Sequence, residues 1–305
     1  MSWLKVGRGL GYLALFLLGI QEMSRGLNRY AGNKVQNFLA RHAGSTLSSF
    51  LLGFIVTVLL QSSSLTSVIV VGLINAGILS LEQGVGIIIG ANLGTTITLQ
   101  ILSFQWHHLA LPLIALAALM SLIPHRGWKY CSRALFGLGL VFMGLEGIAA
   151  GLEPLRESPA VYGLLTAAGR RPLLGVGAGF LLTAMFQSSS AVSGVLLGLA
   201  GRGLITLPAA LAIMLGADLG TCITALLASL GMKANARLAA WAHFLFNTCT
   251  LLLVLPLFRY FVWLAEFSAD QLPRQMANAH FLYNLGGALV LLPLVPVFLR
   301  IVQAK

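Results

Sequence analysis

The chain has 305 residues, 58% of them hydrophobic and only 9% charged, with a formal net charge of +11. Soluble domains carry about 25% charged residues, so a water-soluble class is excluded, and long apolar runs from end to end point to a polytopic helical membrane protein. The basic excess does not point to nucleic acid, because Arg25, Arg29, Lys34 and Arg41, then Arg126, Lys129 and Arg133, then Lys233 and Arg237 sit in short joints between apolar runs, as loops flanking membrane spans require. The run LLLVLPLF (251–258) lacks the period-2 alternation of a membrane barrel. Cys131, Cys222 and Cys249 are odd in number and unpatterned, so no disulfide framework or metal site follows from them.

In chain order, Gly9 to Leu27 reads as a first span ending in Gln21, Glu22 and Arg25. Gln21-Glu22 is no small-residue cleavage site, so this is a retained span and not a signal peptide. Asn28 to Ser45 carries Arg29, Lys34 and Arg41 among apolar positions and suggests an interfacial helix. Apolar sequence then runs from Leu47 to Leu79, interrupted by Gln61-Ser62-Ser63-Ser64. Each arm falls short of the ~20 residues of a spanning helix, which predicts a re-entrant hairpin with a polar tip. Gly84 to Ser103 follows as a span broken at Gly90 and Gly94 around Asn92 and Thr95, and Leu109 to Ile123 as a span stopped by Pro124. Ala134 to Leu152 resembles the first span. A second hairpin is expected around Gln187, a second broken span around Asp218, and two last spans at Leu238 to Leu257 and Met276 to Leu299. The last two share Ala242-His243-Phe244-Leu245-Phe246-Asn247 and Ala279-His280-Phe281-Leu282-Tyr283-Asn284.

The organising feature is a repeat. Phe54 to Thr98 aligns without a gap on Phe180 to Thr224, at the 126-residue separation of Gln61 and Gln187. Gly90-Ala91-Asn92-Leu93-Gly94-Thr95 falls on Gly216-Ala217-Asp218-Leu219-Gly220-Thr221. A leading span, a hairpin, a broken span and a closing span cross three times per copy, and an odd number inverts the second copy. The expected fold is therefore an all-α polytopic membrane protein of two inverted-topology repeats, each with a re-entrant hairpin and a broken transmembrane helix, an architecture of secondary transporters. Residues 1–125 and 126–260 form the repeats, and 261–305 an additional C-terminal span.

Each Gln-Ser-Ser-Ser stands where one hairpin arm ends and the next begins. Free N–H groups at a half-helix N-terminus, with the helix dipole behind them, suit an anion. Serine hydroxyls donate, and can also turn a lone pair toward a cation. Glycines that let a helix unwind would free carbonyls for a hard cation beside Asn92 or Asp218 and Thr95 or Thr221. None of the nineteen Lys and Arg residues falls in the interior of a predicted span, Arg25 standing at the polar end of the first, so an anion would rely on dipoles, hydroxyls and co-bound cations. Close helix packing is the competing reading of Gly90 to Gly94, and His243 and His280 read as hydrogen-bonding residues more readily than as ligands. Glu146, near a span centre, has no counterpart in the other copy.

The doubled Gln-Ser-Ser-Ser, each followed by Gly-Ala-(Asn/Asp)-Leu-Gly-Thr, resembles the type II sodium–phosphate cotransporter family. The resemblance covers Gly9 to about Asn284 and implies sodium-driven transport of inorganic phosphate at the meeting of the two tips. It implies phosphate contacts from Gln61, Ser62, Ser63, Gln187, Ser188 and Ser189. Ser64, Asn92, Thr95, Thr98, Ser190, Asp218, Thr221 and Thr224 would be shared between phosphate and sodium. Na⁺ itself is assigned to Gln61, Asn92, Thr95, Gln187, Asp218 and Thr221. Asp218 departs from the family's usual asparagine. The implied partners are inorganic phosphate, Na⁺ as coupling ion and the lipid bilayer of a bacterial inner (plasma) membrane. No organic cofactor, nucleic acid or enzymatic activity is expected, and a homodimer is compatible with the pattern. The family's fused regulatory domain and large extracellular loop have no counterpart, which suggests a minimal transport core.

Two rivals stay open. One is a transporter of the same fold for another oxyanion or a carboxylate. The other is an intramembrane serine hydrolase pairing a tip serine with His243 or His280, although a Gly-x-Ser-Gly turn is missing.

Overall fold

Away from water an apolar chain satisfies its backbone by coiling into helices, and this chain does so almost throughout. The computed structural model describes residues 3–31, 34–104, 106–152, 159–297 and 299. It contains α1 (Trp3–Ala31), α2 (Lys34–His42), α3 (Thr46–Leu60), α4 (Ser63–Asn75), α5 (Leu81–Leu102), α6 (Ala110–Ser121) and α7 (Arg126–Leu152). There follow α8 (Pro159–Arg170), α9 (Pro172–Phe186), α10 (Ser189–Gly201), α11 (Leu207–Ala228), α12 (Ala234–Val254), α13 (Phe258–Phe267) and α14 (Leu272–Leu291). Among the described residues, five helical segments are long and apolar enough to cross a membrane: Leu81–Leu102, Arg126–Ile148, Leu207–Ala228, Ala234–Phe267 and Leu272–Val297. The protein is an all-α membrane protein.

The expected first span forms as α1 but is not one of those five. Gln21, Ser24, Arg25 and Asn28 recur at i, i+3, i+4 and i+7 and lay a polar stripe along one face. Of the interfacial helix expected over Asn28 to Ser45, residues 28–31 belong to α1 and α2 holds Lys34–His42 with only Val35 and Leu39 buried, while residues 32–33 lie outside the described residues. The span expected over 109–123 is a 12-residue helix, α6, about 18 Å long at 1.5 Å per residue and too short to cross alone. α6 lies along α7, with the Ser132 hydroxyl donating to Ala117 O at 2.7 Å.

Both interrupted apolar stretches fold as paired short helices, 15 and 13 residues in α3 and α4 and the same in α9 and α10. The neighbouring helices overturn an expectation. α5 and α11 are each continuous over 22 residues, through Gly90–Gly94 and Gly216–Gly220, so the helix is not broken and its carbonyls are not freed. These glycines serve close approach instead. A Cβ at Gly90 would lie 1.9 Å from Phe50 O, and one at Gly216 would lie 1.9 Å from Val176 O. The first hairpin arm of each copy thus lies backbone to backbone on the long helix that follows it.

α1 and α7 also pack through glycines. Gly9 meets Gly151, Gly19 meets Gly137 and Val141, and Gly26 meets Ala134, so the leading helices of the two copies run antiparallel. Phe16 of α1 is fully buried between α7 and α10, and a Cβ at Gly194 would come within 2.2 Å of its ring. This packing brings the polar stripe of α1 to the hairpin tips.

Candidate functional site

The two tips have one backbone conformation. α3 ends at Gln61, which is left-handed with φ 55°, and its N–H donates to Thr57 O at 2.7 Å. Ser62 is extended and caps α4, its Oγ accepting the Leu65 N–H at 3.2 Å. In the second copy Gln187 has φ 54° and donates to Thr183 O at 2.7 Å, and Ser188 Oγ accepts the Ala191 N–H at 3.2 Å. Gln61 and Gln187 are the only non-glycine residues with positive φ among the described residues.

Between the tips lies a cavity of about 240 Å³, against roughly 30 Å³ for one water. Gln61, Ser62, Ser63, Ser64, Gln187, Ser188, Ser189 and Ser190 line it, with Ile20, Gln21, Ser24 and Arg25 of α1 closing one side. Ser63 and Ser189 are the first residues of α4 and α10. Both helix N-termini therefore face one space, with first-turn N–H groups that no intrahelical carbonyl can reach. Thr98 of α5 approaches the first tip from behind and donates its hydroxyl to Gln61 Oε1 at 2.8 Å, while Gln61 Nε2 donates to Val58 O at 2.6 Å. That pair of bonds presents the Gln61 amide in one orientation.

α1 was absent from the sequence-based picture of the site. Arg25 lies within this helix and lines the cavity, which corrects the expectation that no basic side chain is available to an anion there. Arg25 Nη1 donates to Glu22 Oε1 at 2.7 Å, and the other oxygen of Glu22 accepts from Arg133 Nε of α7.

The remaining expected residues lie elsewhere. Thr95 and Thr221, both buried, return their hydroxyls to Ala91 O and Ala217 O at 3.2 Å, and Thr224 is half-buried on α11. Asn92 and Asp218 do not line the cavity. Asn92 Oδ1 accepts from His243 Nε2 at 3.0 Å, and Asn92 Nδ2 donates to Asn247 Oδ1 at 3.2 Å. Asp218 accepts from His280 Nε2 at 2.9 and 3.0 Å and from Asn284 Nδ2 at 3.0 Å. The Asp218 carboxylate is thus partnered by α14, where the sequence suggested a cation held with Gln187, Thr221 and freed carbonyls. Among the described residues no cluster of three or more His, Cys, Asp or Glu side chains has the arrangement of a metal site. The doubled Ala-His-Phe-Leu-x-Asn and the doubled Gly-Ala-x-Leu-Gly-Thr were both visible in the sequence, but that the two are partners became visible only in the fold. Neither histidine lines the tip cavity.

Glu146 lines a separate cavity of about 180 Å³ with His107 and Arg202, at the far end of α10 from the tips.

Comparison with known proteins bears on this geometry. A family model described as Na⁺/Pi-cotransporter matches residues 15–150 and 152–266. The uncharacterized protein YqeW of Bacillus subtilis (strain 168) is 31% identical over 244 residues, 80% of each chain. YjbB of Escherichia coli (strain K12), provisionally named an inorganic phosphate export protein, is 28% identical over 249 residues, 81% of this chain but 46% of YjbB. The sodium-dependent phosphate transport protein 2A of Rattus norvegicus is 34% identical over 98 residues, 31% of this chain and 15% of the rat protein. The chain thus spans most of YqeW and less than half of YjbB. No solved structure matches it significantly.

Proposed function

The chain belongs to the Na⁺/Pi-cotransporter family, and on that premise we propose that it is a sodium-coupled secondary transporter of inorganic phosphate. The observation that carries this reading is the shared cavity: two matched Gln-Ser-Ser-Ser tips, each opening a helix, converge on one space. A tetrahedral oxyanion there meets two helix N-termini, the first-turn N–H groups of Ser63, Ser64, Ser189 and Ser190, and a ring of hydroxyls. Gln61 and Gln187 add an amide at each tip. We place Na⁺ beside the anion, on the Gln61 carbonyl oxygen with the Thr98 hydroxyl and on their second-copy equivalents Gln187 and Thr224, since hard cations take oxygen ligands.

The reading includes inverted repeats over residues 1–125 and 126–260, followed by an additional span. It is supported by the antiparallel packing of α1 on α7, the leading helices of the two copies. Transport then consists of exposing one central site to each face in turn, as inverted-repeat transporters do. The name of YjbB refers to export and that of the rat relative to sodium-dependent transport, so direction is a question for the assay.

The deciding experiment is ³²P-phosphate movement in proteoliposomes, in both directions, with and without an imposed Na⁺ gradient. The proposal expects phosphate flux that follows the Na⁺ gradient and is competed by arsenate more than by sulfate or succinate. Flux indifferent to Na⁺ would remove the coupling ion, and preference for succinate would move the substrate to the carboxylates.

A further inference from the structure

The polar stripe of α1 has no equivalent in the second copy. At the 126-residue separation, Gln21, Glu22, Ser24 and Arg25 correspond to Gly147, Ile148, Ala150 and Gly151. At these four positions α7 is apolar, whereas α1 carries polar residues where it passes the hairpin tips. Gln21, Ser24 and Arg25 line the cavity, and Ser24 Oγ reaches Leu60 O of the first tip at 3.5 Å. Two arginines share one carboxylate, because Glu22 accepts from Arg25 and from Arg133. The group as a whole carries one net positive charge beside the tips.

Arg133 approaches Glu22 through Nε and joins α7 to α1. Arg25 is the free partner of the two. Its side chain is 55% exposed, against 12% for Glu22, and among the described residues Nη1 is its only engaged donor, on a carboxylate one helical turn away. A guanidinium has five N–H donors in a planar fork that fits two oxygens of a carboxylate or phosphate. Two helix N-termini supply partial positive charge, whereas Arg25 supplies a full one, and charge-assisted hydrogen bonds are roughly twice as strong as neutral ones.

We infer that Arg25 is a recognition residue for the transported oxyanion, oriented over the tips by Glu22, so that the anion and Glu22 compete for one guanidinium. This rests on the proposed function and adds to it a charged contact, contributed by one repeat only. It makes the site asymmetric in charge although its tips are symmetric in backbone. It also makes Glu22 a positioning residue that weakens binding of the anion, since a carboxylate beside the cavity repels it and occupies one donor of the fork.

The test is calorimetric titration of inorganic phosphate into purified protein in Na⁺ buffer, together with initial rates in proteoliposomes. Arg25→Gln is expected to weaken phosphate binding about 10- to 100-fold, the range of a lost hydrogen bond to a charged group. Arg25→Lys should fall between, keeping the charge and losing the fork. Glu22→Gln is expected to tighten phosphate binding severalfold. A purely structural role for the ion pair predicts the same direction for both partners, so opposite signs identify recognition. Unchanged affinity in Arg25→Gln, or losses of equal size in Arg25→Gln and Glu22→Gln, would overturn the inference while leaving phosphate transport by the wild type intact. If Arg25→Gln does not fold, Arg25→Lys and Glu22→Gln decide by the same signs. Failure of the wild type itself to bind phosphate would instead overturn the proposed function, and this inference with it.

Discussion

Asp218 gives the sharpest test of how the buried polar network is built, because the first repeat contains its own control. Asn92 occupies the equivalent place and makes equivalent contacts, with His243 Nε2 at 3.0 Å and with Asn247 Oδ1 at 3.2 Å. In Asp218→Asn, Oδ1 still accepts from His280 Nε2, but the new amide nitrogen faces the amide nitrogen of Asn284. Rotating the Asn284 amide resolves the conflict, and Asn284 Oδ1 is buried with no partner in the wild type. The variant then has the side-chain pairing of Asn92 with Asn247, but the rotation gives up the Asn284 Nδ2 bond to His280 O at 3.2 Å, so the loss is the charge assistance and one neutral bond, about 2–3 kcal/mol. Asp218→Ala has no such escape. It leaves His280 Nε2 unmatched inside the bundle and Asn284 Nδ2 with only its bond to His280 O at 3.2 Å, a loss of about 3–5 kcal/mol. Equilibrium unfolding in detergent should separate the two variants by about 1–2 kcal/mol. Phosphate transport and its Na⁺ dependence should persist in Asp218→Asn, since the carboxylate serves α14 and not the cavity. Equal damage from Asn and Ala would refute the rotation argument, and a shifted Na⁺ half-saturation in Asp218→Asn would return the carboxylate to a cation site.

Three further outcomes are expected. Gln61→Ala and Gln187→Ala each abolish phosphate uptake while leaving a monodisperse protein, and a wild-type rate in either would detach that tip from the site. Thr98→Val removes the hydroxyl that donates to Gln61 Oε1 at 2.8 Å and should raise the Na⁺ half-saturation of uptake, whereas Thr98→Ser should not. Gly90→Ala places a Cβ 1.9 Å from Phe50 O, and contacts under 3.0 Å force a shift, so α3 must retreat from α5 by about 1 Å. The overpacking should cost about 1–3 kcal/mol in the same unfolding assay, and an indifferent Gly90→Ala would contradict the close approach.

How much of this was legible depended on how local the deciding physics is. The tips were readable because Gln-Ser-Ser-Ser is costly inside apolar sequence unless it is used, and because arms of 15 and 13 residues leave a hairpin as the economical reading. The glycines of Gly90 to Gly94 were ambiguous in principle. A glycine that lets a helix unwind and one that lets a neighbour approach look the same in one dimension, and Phe50 O, 40 residues earlier, decides between them. In the sequence Arg25 reads as part of a joint, because basic residues usually mark the end of a span, but α1 continues to Ala31 and carries it past the tips. The Asn92–His243 and Asp218–His280 contacts join residues 151 and 62 apart, and only the repetition of both motifs hinted that they were partners.

A left-handed residue closing a helix is usually glycine, because an L side chain there costs roughly 1–2 kcal/mol. This chain places glycine at other positive-φ turns, Gly77, Gly203 and Gly231, so the option was open to it. At the tips it places glutamine twice, with φ 55° and 54°, and accepts the strain in both copies. A turn alone has no use for that side chain. The amide must therefore matter for what it presents to the cavity, as strain retained at matched positions generally marks function. In the first copy Thr98 and Val58 O hold that amide in one orientation. Gln61→Gly and Gln187→Gly should accordingly make the protein more stable and the transporter inactive, the opposite pairing from a residue kept for the fold.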